Sequence, residues 1–285
     1  MSEKAQTYRR FDRWQRIEHG LLILSFTVLT LTGLPQKYSM TYWGSALIWL
    51  FGGIEVTRLI HRGAAILLML ETIYHAVAVS YKVLVRRVRL TMLPSWRDIV
   101  DGFHAMAYNV RLAKTPPRMG RYTFGEKVEY WAVIWGTVIM ILTGFMLWNP
   151  IATTTFFPGQ WIPAAKAAHS GEALLAVLSI VTWHVYNVHL KHFNRSMFTG
   201  AISHHEMQTE HAAELAELDA GHQPAPIATA VLQRRQRIFY PVAIVLSLVL
   251  LVALYLFVTI EQTAITTVPR QQVEVFTPQT PEASP

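Results

Sequence analysis

Five stretches of this chain stay apolar long enough to cross about 30 Å of hydrocarbon, which takes about 20 helical residues. They run from about 17 to 34, 58 to 85, 128 to 148, 162 to 190 and 238 to 260, the first ending at Pro35. Backbone N–H and C=O groups inside hydrocarbon must be paired within the segment itself, so the expected fold is an all-α integral membrane bundle. A further apolar stretch, 42 to 53, is rich in aromatics and glycine, too short to span, and expected at the interface. Composition agrees: 52% of residues are hydrophobic and 15% charged, whereas soluble domains run near a quarter charged. The net charge of +7 would suit nucleic acid, but in so apolar a chain basic residues mark membrane flanks, and no nucleic-acid partner is expected. With no cysteine, the chain cannot carry a disulfide, thiolate zinc, a cysteine-held iron–sulfur cluster or covalently attached haem. The first apolar run is full length and no A-x-A-like site follows, so no cleavable signal peptide is expected. No internal repeat is evident.

Loop charges predict the orientation. Arg9, Arg10, Arg13 and Arg16 precede the first span, and Arg86, Arg87, Arg89, Arg97, Arg111, Lys114, Arg118 and Arg121 fill the second connection. Lys191 and Arg195 follow the fourth span, and Arg234, Arg235 and Arg237 precede the fifth. The connections 35–57 and 149–165 hold a single basic residue, Lys37. The positive-inside rule then puts the N-terminus in the cytoplasm and the C-terminus outside, in a cell inner or plasma membrane. The expected organisation is a cytoplasmic N-terminus (1–16), a four-helix membrane domain (17–218) with a cytoplasmic loop (87–127), a linker (219–237), a fifth helix (238–260) and a Pro-rich external tail (261–285). Within the loop, Ser95-x-x-Asp98 resembles a capping box and Ile99, Phe103, Met106 and Val110 recur at helical spacing, predicting an amphipathic helix. Residues 203–219 read as a solvated acidic helix.

Histidine is the informative excess, because ionisable residues in a span are costly and mark function. His61 and His75 share the second span 14 residues apart, about 40° short of four full turns and about 21 Å of rise. His169 and His184 share the fourth, 15 apart, about 60° past four turns and about 22 Å of rise. Two helices thus each present two histidines on one face, one near each leaflet, and His19 opens the first span. Bis-imidazole ligation of two stacked haems needs this arrangement, with a helix bundle supplying the dry slot. A lone intramembrane histidine is ordinarily a hydrogen-bonded packing residue; two registered pairs are hard to explain that way. Separations of about 21 Å also forbid one shared ion. His189, five residues past His184, is expected about 140° around an α-helix from it, where only a separate third haem could use it. His192 suits headgroups, and His104, His204, His205, His211 and His222 are expected at the surface. Glu71, one turn before His75, could orient that imidazole, relay protons to a quinone or pack neutral, and Glu172 beside His169 raises the same choices. Arg13, Arg16, Arg58 and Arg62 could pair with haem propionates or serve only as topology signals.

The chain resembles the b-type cytochrome (gamma) subunit of membrane-bound formate dehydrogenases and related hydrogenase cytochromes, over about residues 9–218. The resemblance rests on Arg16-x-x-His19 with Thr32-Gly33, Arg58-x-x-His61, Gly120-Arg121-Tyr122, and Gly125-Glu126-Lys127. It continues through Leu142-Thr143-Gly144, Trp148-x-Pro150, His169, His184-x-Tyr186, and Met197-x-x-Gly200-x-x-Ser203. It implies an inner haem held by His19 and His184, an outer haem held by His61 and His169, and quinone reduced beside the inner haem. His75 is additional to that ligand set. Register alone favours His75 opposite His184, so His75 stands as the alternative inner ligand. Thr123 occupies the place of an asparagine near the family's quinone site, and the fifth helix and tail lie outside the resemblance.

The expectation is a membrane cytochrome with a four-helix dihaem core and a fifth C-terminal transmembrane helix. It would carry two haems b, a third being conceivable, and pass electrons between a partner redox subunit and the quinone or menaquinone pool. Iron ligands are expected at His19, His61, His169 and His184, with quinone contacts at Tyr122, Thr123 and Tyr186. The chain has no substrate-oxidising centre, so an iron–sulfur or cytochrome c subunit and a catalytic subunit are the expected partners, besides quinone and lipid. The alternatives are a stand-alone transmembrane haem-b reductase and a haem-free anchor or transporter whose histidines relay protons.

Overall fold

Capping chemistry decides where several helices begin. A computed structural model describes residues 6–191, 193–221 and 227–259. It starts with strand β1 (Thr7–Arg9) and helix α1 (Arg13–Lys37). Asp12 caps α1: its carboxylate accepts from Gln15 N at 2.9 Å and Gln15 Oε1 accepts from Asp12 N at 3.1 Å. Helix α2 (Tyr42–Leu50) is the short apolar stretch, and α3 (Ile54–Ser80) continues through a π-wound turn, Tyr81–Val85. Helix α4 (Trp96–Asn109) is the amphipathic helix of the loop, opened by the Ser95/Asp98 box. Thr123 and Glu126 form the same device at the head of α5 (Phe124–Trp148). A short α6 (Pro150–Phe156) leads to α7 (Trp161–Ser179), which continues as a π-helix over Ile180–Lys191. Then come α8 (Ser196–Thr199), β2 (Ala201–Ser203), α9 (His204–Glu210), α10 (Ala212–Asp219) and α11 (Thr229–Thr259). The tail 261–285, His192 and His222 lie outside the described residues.

Among the described residues five helices are long and apolar enough to cross a membrane, as the hydropathy pattern predicts. Helix α1 packs on α3, α5 on α7, and α1 on α7, so two hairpins face each other. Helix α11 lies against α3 at one end, where Tyr81 stacks on Tyr240 and its hydroxyl accepts from Gln236 at 2.8 Å. At its other end Phe257 meets Phe145 of α5 at 4.1 Å between centroids. It is helical from Thr229, so the stretch read as a linker is partly the first turns of the fifth helix.

Beside the N-terminus of α1 sits a small cap. β1 pairs antiparallel with β2, and Ile202, Met207 and Leu215 form its buried core. Arg10, 3% exposed, pairs with Glu126 at 3.0 Å and donates to the Arg121 carbonyl, while Arg121 pairs with Glu214 at 2.9 Å. Burial opposes the charge of the Arg121 guanidinium, but the neighbouring Tyr122 and Glu214 prevail and leave its pKa raised, so it stays charged. Segment 203–219 is therefore not the solvated helix its acidic composition suggests. It breaks at His211, which is buried with Nδ1 2.9 Å from the Gly120 carbonyl, and its apolar residues close the cap.

Candidate functional site

The bundle interior carries two layers of histidines. In the layer remote from the N-terminus of α1, His61 of α3 faces His169 of α7 with ring centroids 6.3 Å apart. Each is braced from the preceding helix by a threonine: Thr32 Oγ1 lies 2.9 Å from His61 Nδ1, and Thr143 Oγ1 lies 2.9 Å from His169 Nδ1. Both hydroxyls already donate to carbonyls of their own helices, Val28 at 2.7 Å and Ile139 at 2.6 Å. They must therefore accept from the imidazole Nδ1–H, which leaves Nε2 as the lone-pair atom of each ring. Gly33 and Gly144, next to those threonines, keep the rings seated: a Cβ at Gly33 would stand 3.0 Å from His61 Cε1, and one at Gly144 3.5 Å from His169 Cε1.

In the other layer His19 of α1 faces His184 of the π-wound end of α7, again with centroids 6.3 Å apart. His184 donates Nδ1–H to Glu129 Oε2 of α5 at 2.7 Å. His75, on α3, sits instead against Tyr130, whose hydroxyl is 3.0 Å from its Nε2, with Nδ1 3.5 Å from Glu18 Oε1. Glu71 does not bond His75; its buried Oε2 has no hydrogen-bond partner among the described residues, and neither has Glu18 Oε1. His189 lies beside His184, centroids 6.2 Å apart, rather than on another face. The π-winding is the reason: hydrogen bonds that close over five residues bring i and i+5 onto neighbouring positions, which the α-helical count could not foresee.

The two hairpins repeat one plan. Glu18 and Thr32 on α1 back His75 and His61; Glu129 and Thr143 on α5 back His184 and His169. The Glu-to-Thr spacing is 14 residues in both helices, and that equality was the signal available in the sequence. The bracing residues Glu18, Glu129, Thr32 and Thr143 were not read from the sequence as contacts of the histidines.

Both facing pairs have the spacing that one metal between two imidazoles requires, at about 2 Å per metal–nitrogen bond. The tied Nδ1 atoms of His61, His169 and His184, with Gly33 and Gly144 beside the first two, fit a flat iron porphyrin with bis-imidazole ligation. The polar residues nearer the cap are otherwise engaged. Tyr122 lies under the Arg10 guanidinium at 5.1 Å, Thr123 spends its hydroxyl on the α5 cap, and Tyr186 is exposed. Arg16 donates to the Phe198 carbonyl at 2.6 Å, and Arg62 covers Trp148 at 4.8 Å. Between α4 and α5 lies a largely apolar cavity of about 510 Å³ lined by Trp96, Ile99, Phe124, Trp131 and Trp135, with Asp98 and Lys127 paired at 2.7 Å in its wall. Burial opposes ionisation of Asp98, but hydrogen bonds from Lys127 and Ser95 prevail and hold its carboxyl below the usual range.

Comparison with known proteins finds that residues 10–200 match the family model for prokaryotic cytochrome b561. The formate dehydrogenase cytochrome b556(fdo) subunit of Escherichia coli (strain K12) is 24% identical over 187 residues, covering 65% of this chain and 80% of that protein. The nitrate-inducible formate dehydrogenase cytochrome b556(Fdn) subunit of the same strain is 18% identical over 202 residues, covering 70% and 87%. The formate dehydrogenase cytochrome b556 subunit of Haemophilus influenzae is 24% identical over 175 residues, covering 60% and 66%.

Proposed function

The chain belongs to the prokaryotic cytochrome b561 family, a multi-pass membrane cytochrome carrying haem b for electron transport, and from that premise we propose that it is the dihaem subunit of a respiratory complex exchanging electrons with quinone. The observation that carries this reading is the pair of facing imidazole couples, His19/His184 and His61/His169, each at 6.3 Å. When bound, each haem supplies a one-electron Fe(III)/Fe(II) couple, and two of them stacked across the bilayer supply a path through it. The protein's own part is to present Nε2 of each ligand, to hold each Nδ1–H on a threonine or glutamate where a partner is provided, and to keep water out with apolar helices.

The basic flanks support a cytoplasmic cap, so that His19 and His184 hold the inner haem and the C-terminus lies outside. Quinone is taken up at the cytoplasmic end. The aromatic cavity between α4 and α5 lies at the head of α5, where its wall residue Lys127 stands two residues before Glu129, and its apolar lining with one ion pair suits an amphiphilic dione. The named relatives are subunits of formate dehydrogenases, which supports a catalytic partner; an iron–sulfur or cytochrome c subunit would relay its electrons to the haems.

Haem stoichiometry tests the reading. His61→Ala and His169→Ala each leave one haem per chain, the same one, and His19→Ala and His184→Ala each remove the other. His75→Ala keeps both. Loss of the inner haem in His75→Ala with retention in His19→Ala would put His75 in the ligand set instead.

A further inference from the structure

We infer that Glu129 is a positioning residue that lowers the reduction potential of the inner haem, by holding the His184 Nδ1–H on a carboxylate while both outer ligands are held on neutral hydroxyls. The inference rests on the ligand reading above. Of the four proposed ligands, three have a hydrogen-bonded Nδ1, and the partners differ in kind. Thr32 and Thr143 are uncharged, and each already gives its own proton to a main-chain carbonyl, so what they offer the imidazole is one lone pair of a neutral oxygen. Glu129 offers a carboxylate at 2.7 Å, and among the described residues His184 is its one ion-pair partner. Hydrogen bonds to an ionised acceptor are shorter and about twice as strong as neutral ones. An imidazole whose N–H is drawn toward a carboxylate is a more basic ligand, and a more basic ligand with an adjacent negative charge favours ferric over ferrous iron.

The duplicated plan of the hairpins sharpens the point. Glu18 holds the position on α1 that Glu129 holds on α5, but it stands by His75, which meets the Tyr130 hydroxyl rather than a second imidazole. One carboxylate of the two therefore abuts a facing histidine couple, and the asymmetry falls between the two layers.

The test is potentiometric titration of the visible haem bands in the purified full-length protein. Glu129→Gln keeps a carbonyl that can accept the same N–H but removes the charge, so a bracing role alone would leave the potentials where they are. The expected result is that one of the two haem components rises by about 59 mV, a tenfold change in the ratio of a one-electron couple. The other component stays in place and haem content is unchanged. Glu129→Asp, which retains the charge, returns the shifted component toward its original value. Both components unmoved, both moving together, or Asp behaving as Gln would each overturn the inference. Should Glu129→Gln fail to hold haem, the unaltered protein reads the same property: the component that His184→Ala removes is expected to be the one of lower potential, and finding it to be the higher would overturn the inference. His184→Ala separates the two readings, because full haem retention there removes the ligand assignment itself, whereas haem loss there with unmoved potentials in Glu129→Gln removes only the role of Glu129.

Discussion

Gly33 and Gly144 occupy equivalent places beside His61 and His169, yet the space at each differs. A methyl at Gly33 would meet His61 Cε1 at 3.0 Å, tighter than ordinary contact, while at Gly144 the nearest ring atom is 3.5 Å away. Alanine is the better helix former by about 1 kcal/mol at either site, so any loss must come from the ring and not from the helix. Gly33→Ala is expected to weaken retention of the haem proposed between His61 and His169 about tenfold, the scale on which disturbing a contact behind a metal ligand acts, and Gly144→Ala to leave it near the original. Haem-to-protein ratios across a detergent wash series measure both. The histidines themselves were legible because an imidazole inside hydrocarbon demands a reason. Glu129 was not, since a carboxylate near the end of a span also reads as a topology mark and its partner lies 55 residues away in sequence. Thr32 and Thr143 were visible only as parts of a motif, because a threonine bonding its own helix satisfies every local expectation.

At the scale of elements, length and hydropathy locate a span well and say nothing of its winding. The π-helix over Ile180–Lys191 has no periodicity that an apolar segment must display, and it moves His189 beside His184. The same limit hid the cap, where Ile202, Met207 and Leu215 are too sparse among acids and histidines to read as a buried face. Helix α4 was legible from its box and its spacing, and its docking on α5 supplies a pH prediction. Asp98 is held on Lys127 and Ser95 with its pKa below the ordinary 3.8. A depressed folded pKa gives stability that is present above the unfolded value and lost as pH falls through the folded one. Acidification below 3.8 is therefore expected to release α4, and Asp98→Asn to do so at neutral pH, raising its opening about tenfold, the lower end of what a charge-assisted hydrogen bond supplies. Limited proteolysis between residues 94 and 120, with tryptophan emission as a second readout, follows the release.

For the whole molecule, the family match ends at residue 200 and α11 lies beyond it. All four proposed ligands sit on α1, α3 and α7, and their bracing residues on α1 and α5. Helix α11 touches the outside of that core, through Gln236 and the Tyr81–Phe239–Tyr240 aromatic group at one end and Phe257 against Phe145 and Trp148 at the other. Most of its large apolar side chains, from Ile238 to Leu256, remain exposed, a surface that lipid covers. A chain ending at residue 228 should hence insert with its four-helix core intact and bind the same two haems per chain, with unchanged visible bands. Its stability should fall, because Phe145, Trp148 and Tyr81 lose aromatic partners, each worth about 0.5–1.5 kcal/mol beyond burial. Thermal loss of the haem spectrum in detergent is the measurement, and the truncated protein should lose it at the lower temperature. Loss of either haem at the outset would show instead that α11 holds the hairpins in register, and that the fifth helix is part of the haem-binding core rather than an attachment to it.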